Sequence, residues 1–182
     1  MKPYQKALAD ALREFSIREG DFTLASGKKS RWYVDARQLT FRGDCLETVG
    51  RAVVEALEAV DVPAFDSVGG LAIGADPVTM AVAFVAGVRG FAVRKEAKDH
   101  GVGGRIAGPL QPGDRVVIVE DTVTTGGSAL VAVDAVHEFG ANVVAVTALL
   151  DRGGVLGEEL ERRGIVYAPV LGAPDLGYSF GE

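Results

Sequence analysis

The chain has 182 residues, 48% hydrophobic and 24% charged, which suits one globular α/β domain with room for a small subdomain. Its net charge of −6 argues against a nucleic-acid binder, and the polar start MKPYQKALADALREF and the lack of a long apolar run argue against a signal peptide or a membrane protein. Cys45 is the one cysteine, so no intrachain disulfide can form, which fits a reducing cytosol and a cytoplasmic location; no CxxC or HExxH marks a zinc site.

In chain order, Leu8, Ala11, Leu12 and Phe15 recur at helical spacing and predict an amphipathic helix over 4–15, outside the main sheet. Ser26-Gly27-Lys28 reads as a turn and Arg31–Arg37 as a strand with aromatic content. Trp32 and Tyr33 have two open readings, core filling and a ligand-covering role. Leu46, Val49, Val53, Val54 and Leu57 predict a helix over 45–60 packed on a sheet. A short strand over 65–68 leads into a glycine-rich loop, Gly69 to Pro77, then a helix over 77–86 with proline in its first turn. Gly90–Val93 is a strand. It opens into Arg94-Lys95-Glu96-Ala97-Lys98-Asp99-His100-Gly101-Val102-Gly103-Gly104-Arg105, read either as a solvated surface loop or as a basic lid with a glycine hinge.

The most informative stretch is RVVIVEDTVTTGGSA, 115–129. Val116 to Val119 form an unbroken β-branched run, suited to a strand buried on both faces of a parallel sheet. It ends at Glu120 and Asp121, passes through a Thr/Gly loop and enters a helix over 129–139. A small-residue loop entering a helix aims several N–H groups at one spot where the helix dipole favours an anion, so the loop suits a phosphate monoester. The two acids would repel that phosphate; accepting hydrogen bonds from the two hydroxyls of a ribose is their natural task. The string is not a Walker loop, because no Gly-Lys-Ser/Thr follows, and no GxGxxG stands at a strand end. His137, near the end of that helix, reads as a surface residue. Gly140 is a C-cap, and 142–150 is a second buried strand ending at Asp151-Arg152, where Arg152 could grip a carboxylate with both arms of its guanidinium. A polar helix over 158–163, a last strand over 166–171 and an irregular tail from 174 complete the chain.

The string from Glu120 to Ser128 closely resembles the phosphoribosyl-diphosphate (PRPP) binding motif of the type I phosphoribosyltransferases. FTLxSGxKSxxYxDxR, from Phe22, is similar to the N-terminal hood of orotate phosphoribosyltransferases, and RKExKxHGxGG, from Arg94, closely resembles their catalytic loop. The resemblance covers nearly the whole chain apart from the tail. It implies the type I phosphoribosyltransferase fold, an α/β core with a mostly parallel central sheet flanked by helices. Residues 1–40 would form the N-terminal helix and the hood over the base, and 41–182 the PRPP-binding core. The implied reaction is orotate plus PRPP giving orotidine 5′-monophosphate and diphosphate, a step of pyrimidine (UMP) biosynthesis.

Carried onto this sequence, the resemblance gives Lys98, His100 and Asp121 catalytic roles. PRPP would be held by Arg94, Lys95, Lys98, His100, Glu120, Asp121, Thr122, Val123, Thr124, Thr125, Gly126, Gly127 and Ser128, with Gly70, Leu71 and Ala72 as the diphosphate loop. Orotate would be held by Thr124 and Arg152. Mg²⁺ would arrive with PRPP, held mainly by substrate oxygens rather than by a protein metal site. The family's homodimer would bring Arg94, Lys98 and His100 into the partner's site, with Lys95 acting in its own subunit. The partners are then PRPP, orotate and a second copy, with no nucleic acid and no membrane. One departure stands out: Ala25 occupies a position that is lysine in some members, and Lys28 and Lys29 are the nearby cations. Two rival readings are a PRPP-dependent transferase for another base and a non-catalytic PRPP- or RNA-binding regulator on the same fold.

Overall fold

The computed structural model describes residues 1–23, 29–98 and 104–179, without the side chains of 97 and 98. A parallel sheet is built around β6 (Arg115–Val123), with β3 (Ser67–Leu71) on one side and β7 (Asn142–Asp151) on the other. Outside β3 lies β4 (Arg89–Lys98), edged by the antiparallel β5 (Gly104–Ala107). Outside β7 lie two short parallel pieces, β8 (Val166–Tyr167) and β9 (Leu171–Gly172). Strand alternation explains the uninterrupted run at the centre. Val117 and Val119 pack into one core with α1 (Pro3–Phe15), α3 (Leu46–Glu58) and α4 (Asp76–Ala86). Val116 and Ile118 pack into the other, against α5 (Gly127–Phe139) and α6 (Leu156–Arg162). All four valine and isoleucine side chains are fully buried.

A separate two-stranded antiparallel sheet, β1 (Ile17–Thr23) and β2 (Lys29–Val34), stands apart from the main one. Its inward residues, Ile17, Trp32 and Val34, join the same core as α1 and α3. A one-turn helix, α2 (Arg37–Thr40), follows.

Several boundaries differ from expectation. The segment 17–23, IREGDFT, forms β1 although its polar pattern hides it, because tertiary pairing with β2 supplies what propensity does not. Gly69 and Gly70 lie within β3, not in a loop. They are glycines because the neighbours leave no room: a Cβ on Gly69 would lie 2.6 Å from the Phe91 ring, and one on Gly70 would run into Val119 O. The acids Glu120 and Asp121 sit inside β6, which continues to Val123 by pairing with Leu150 and Asp151. The basic segment from Arg94 to Lys98 extends β4 as a strand rather than opening a loop. The expected last strand is two pieces, β8 and β9, and the tail is not irregular throughout: Ala173–Leu176 is a 3-10 turn.

Candidate functional site

The carboxyl ends of β3, β6 and β7 open on one edge of the sheet, where parallel α/β folds bind their ligands. The floor is the acidic corner. Alternation sends Glu120 to the α5 face of β6 and Asp121 to the α4 face. Glu120 is 5% exposed, and its Oε1 is buried with no hydrogen-bond partner. Burial, with the neighbouring Asp121 charge adding to it, pushes its carboxyl up to about 8. Asp121 is also raised by burial, partly offset by the hydrogen bond from Thr122 N–H, 2.6 Å from Oδ1, and by the Arg37 charge. One buried acceptor without a donor, Glu120 Oε1, thus adjoins a second carboxyl raised by burial, a pattern that suits a ligand bringing hydrogen-bond donors.

The wall beyond the acids is the loop from Thr122 to Ser128. Val123 turns its side chain into the core, so only its backbone is available there, and its carbonyl already accepts from Arg152 N–H at 2.9 Å. Thr124, Thr125, Gly127 and Ser128 are exposed. Helix α5 begins from Gly126 in the left-handed region, φ 81°, with no side-chain cap; unlike α3, α4 and α6, it carries no acid in its first turn. Its first intrahelical bond is Leu130 N–H to Gly126 O at 3.1 Å, so the amides before Leu130 point out from the helix end. An uncapped amino end ringed by hydroxyls suits an anion. The loop is pressed into shape from behind: a Cβ at Gly126 would lie 2.7 Å from Leu156, and one at Gly154 would collide with the Thr124 carbonyl.

The opposite wall is the turn after β3. Of the expected diphosphate loop, Gly70 and Leu71 are strand residues, and Ala72 N–H is committed to Val93 O at 2.8 Å. The exposed part of the turn is Ala72 and Ile73, joined by a cis peptide bond. The next residue, Gly74, lies against the acidic corner: a Cβ there would be 3.2 Å from Asp121 Oδ2. The turn over 72–74 and the acids therefore share one cleft.

Arg152 closes the third side, at the end of β7. It is 8% exposed, and its guanidinium carbon lies 4.1 Å from the Trp32 ring centroid. Burial lowers its affinity for the proton, and the nearby Tyr33 opposes that shift. Tyr33 itself is 41% exposed on the outer face of β2, whereas Trp32 is fully buried, so the two adjacent aromatics have separate fates. On the β4 edge, Arg94 is half-buried and donates from Nη1 to Gly104 O at 3.5 Å, while Lys95 is exposed. Lys98 pairs with Gly104 in the ladder. His100, Ala25 and Lys28 lie outside the described residues. Lys29 donates to Thr23 Oγ1 at 2.9 Å across the hairpin. His137 is exposed near the end of α5, as its sequence context indicated. Among the described residues no three His, Cys, Asp or Glu side chains form a group able to hold a metal, and no helix is long and apolar enough to cross a membrane.

Residues 64–162 match the model of the phosphoribosyl transferase domain. An orotate phosphoribosyltransferase of Rhodopirellula baltica is 44% identical over 174 residues, spanning 89% of this chain and 88% of that one. The chain belongs to the orotate phosphoribosyltransferase family. Its relative from Corynebacterium glutamicum strain R is 42% identical over 93% of this chain and 92% of that one. Among solved structures, the Mycobacterium tuberculosis orotate phosphoribosyltransferase in complex with PRPP superposes with a TM-score of 0.82 at 38% identity, covering 97% of this chain and all of that one. In this family member, Arg37 closes the hood motif without a role readable from sequence, and the Trp32–Arg152 contact has no sequence signal. Arg37 pairs with Asp35 at 2.9 Å and its charge is felt by Asp121; the DAR spacing after the aromatic strand signals only its place.

Proposed function

We propose that the protein transfers the 5-phosphoribosyl group of PRPP to orotate, giving orotidine 5′-monophosphate and diphosphate in pyrimidine biosynthesis. One observation carries the reading: a buried and a half-buried acid, an uncapped helix amino end and a buried arginine converge on one cleft in a chain of this family. The amides and hydroxyls from Thr124 to Ser128 take the 5-phosphate. Glu120 and Asp121, leaving opposite faces of β6, accept from the ribose hydroxyls and fix the anomeric carbon. The turn over 72–74 takes the diphosphate. Arg152 pairs with the orotate carboxylate, with Thr124 beside it and the β1–β2 hairpin as the hood.

As the bond from C1′ to diphosphate breaks, positive charge grows on the ribose and negative charge on the leaving group. Arg94, Lys95, Lys98 and His100 neutralise the latter, and His100 can hand it a proton or a hydrogen bond. Orotate needs orientation rather than a strong base, so positioning and preorganised charge supply most of the rate. The donor set fits Mg²⁺: hard carboxylate oxygens of Glu120 and Asp121 stand beside the ribose position, and the diphosphate and ribose oxygens of the substrate would hold most of the ion. Mg²⁺ would supply charge neutralisation on the diphosphate.

The working form is a cytoplasmic homodimer in which Arg94, Lys98 and His100 reach the partner's cleft. Exposed apolar side chains on and beside α4 support it: Ile73, Met80 and Phe84 are 63%, 61% and 85% exposed, and a partner subunit would cover them. Following the ultraviolet absorbance of orotate with PRPP and Mg²⁺ tests the reading. Consumption of orotate that requires both is the expected result; no consumption, with turnover of another base in a panel, would replace orotate as the substrate.

A further inference from the structure

We propose that Trp32 is a positioning residue of the base site: its indole, backed by Tyr178 from the C-terminal segment, holds the Arg152 guanidinium where it receives the carboxylate of the base. The inference rests on the function proposed above.

Three contacts carry it. The Arg152 guanidinium carbon lies 4.1 Å from the Trp32 ring centroid. The Tyr178 ring stacks on Trp32 at 4.3 Å between centroids and 9° between planes. The Tyr178 hydroxyl donates to Glu19 Oε1 at 3.0 Å, and Glu19 is the residue opposite Trp32 in the β1–β2 ladder. The tail is itself pinned: Arg13 on α1 donates to Asp175 O at 2.9 Å, and Tyr178 N–H donates to Ala173 O at 3.1 Å. Hood, tail and the end of β7 therefore meet at one indole.

The chemistry explains why an aromatic ring belongs there. Arg152 is buried, and burial works against its charge. The face of an indole stabilises a desolvated cation electrostatically and does so without consuming an N–H donor. A carboxylate needs those donors in a fixed fork. An aliphatic residue would fill the same volume but would neither favour the cation nor fix its place over a flat surface. Trp32 is fully buried, so its ring meets Arg152 and Tyr178 rather than solvent.

Two conservative variants separate positioning from packing. Trp32→Leu is expected to raise the KM for orotate about tenfold, roughly 1.4 kcal/mol, with the KM for PRPP close to that of the parent. Trp32→Phe, which keeps a ring face, is expected to recover most of the loss. Equal rises in both KM values, or a Phe variant as poor as the Leu variant, would overturn the proposal. A second readout needs no turnover. Trp32 is the single tryptophan of the chain, so the emission of the unliganded protein reports its surroundings. Arg152→Met is expected to change that emission, and Tyr178→Leu is expected to change it and to raise the orotate KM severalfold. Unaltered emission in Arg152→Met would overturn the contact itself. Failure of the unmodified protein to use orotate would instead remove the functional reading, leaving the emission result to judge the clamp alone.

Discussion

Glu120→Gln should make the unliganded protein more stable at alkaline pH while crippling it as an enzyme. In the folded chain the Glu120 carboxyl is held at about 8, against 4.5 in the open chain, by burial and by Asp121. Between those two values the folded state binds more protons than the unfolded one, so this group removes stability as pH rises. At 1.36 kcal/mol per pH unit, the loss between about pH 5 and about pH 8.5 is roughly 3–4 kcal/mol. A glutamine, of the same shape and without the ionisation, should escape it. For a chain of this size that corresponds to a melting temperature about 10 °C higher near pH 8.5, shrinking to a small difference near pH 5. Thermal unfolding of both proteins across that range, in one buffer series, measures it. PRPP should narrow the gap, because ribose hydroxyls donate to the ionised carboxylate and lower its proton affinity. Parallel pH profiles for the two proteins, or a glutamine variant that melts lower at alkaline pH, would refute the buried, unpartnered carboxylate on which the reasoning stands.

Asp121→Asn should lower kcat by about a hundredfold or more, since an acceptor fixing the ribose is lost at the reacting centre; near-normal turnover would refute that role. Gly154→Ala should destabilise the fold by about 1–3 kcal/mol in urea unfolding and raise the KM for PRPP, because its methyl group collides with the Thr124 carbonyl behind the phosphate loop. Mixing Lys98→Ala subunits with Asp121→Asn subunits should restore part of the activity that neither variant shows alone. Verified heterodimers with no recovery would mean that Lys98 serves its own subunit.

The central strand, the helix after it and the turn between them were legible because their signals are local: a β-branched run, then acids, hydroxyls and glycines in sequence order. What the sequence hid are the features set by distant partners. IREGDFT becomes β1 because Ile17 pairs with Val34 and Thr23 with Lys29, not through its own preference. Gly69 and Gly70 look like a loop, yet they lie inside β3, where Phe91 and Val119 exclude any side chain. The exposed turn after β3 therefore lies at Ala72 and Ile73, beyond the two glycines, and Ala72 spends its amide on β4. The pair Glu120–Asp121 reads as one motif, but strand alternation splits it across the two faces of β6. Trp32 and Tyr33 are neighbours in sequence and separate for the same reason, one buried against Arg152 and the other facing outward. Tyr178 looked like part of an irregular tail, because nothing local shows that it stacks on a ring 146 positions earlier.

A crystal structure with PRPP and Mg²⁺ bound is the most direct test of the whole account. The 5-phosphate should lie at the amino end of α5, within hydrogen-bond reach of the amides and hydroxyls between Thr124 and Ser128, with the ribose hydroxyls on Glu120 and Asp121. PRPP bound elsewhere on the chain, or a corner closed by Glu120 and Asp121 turned onto their own neighbours, would contradict it.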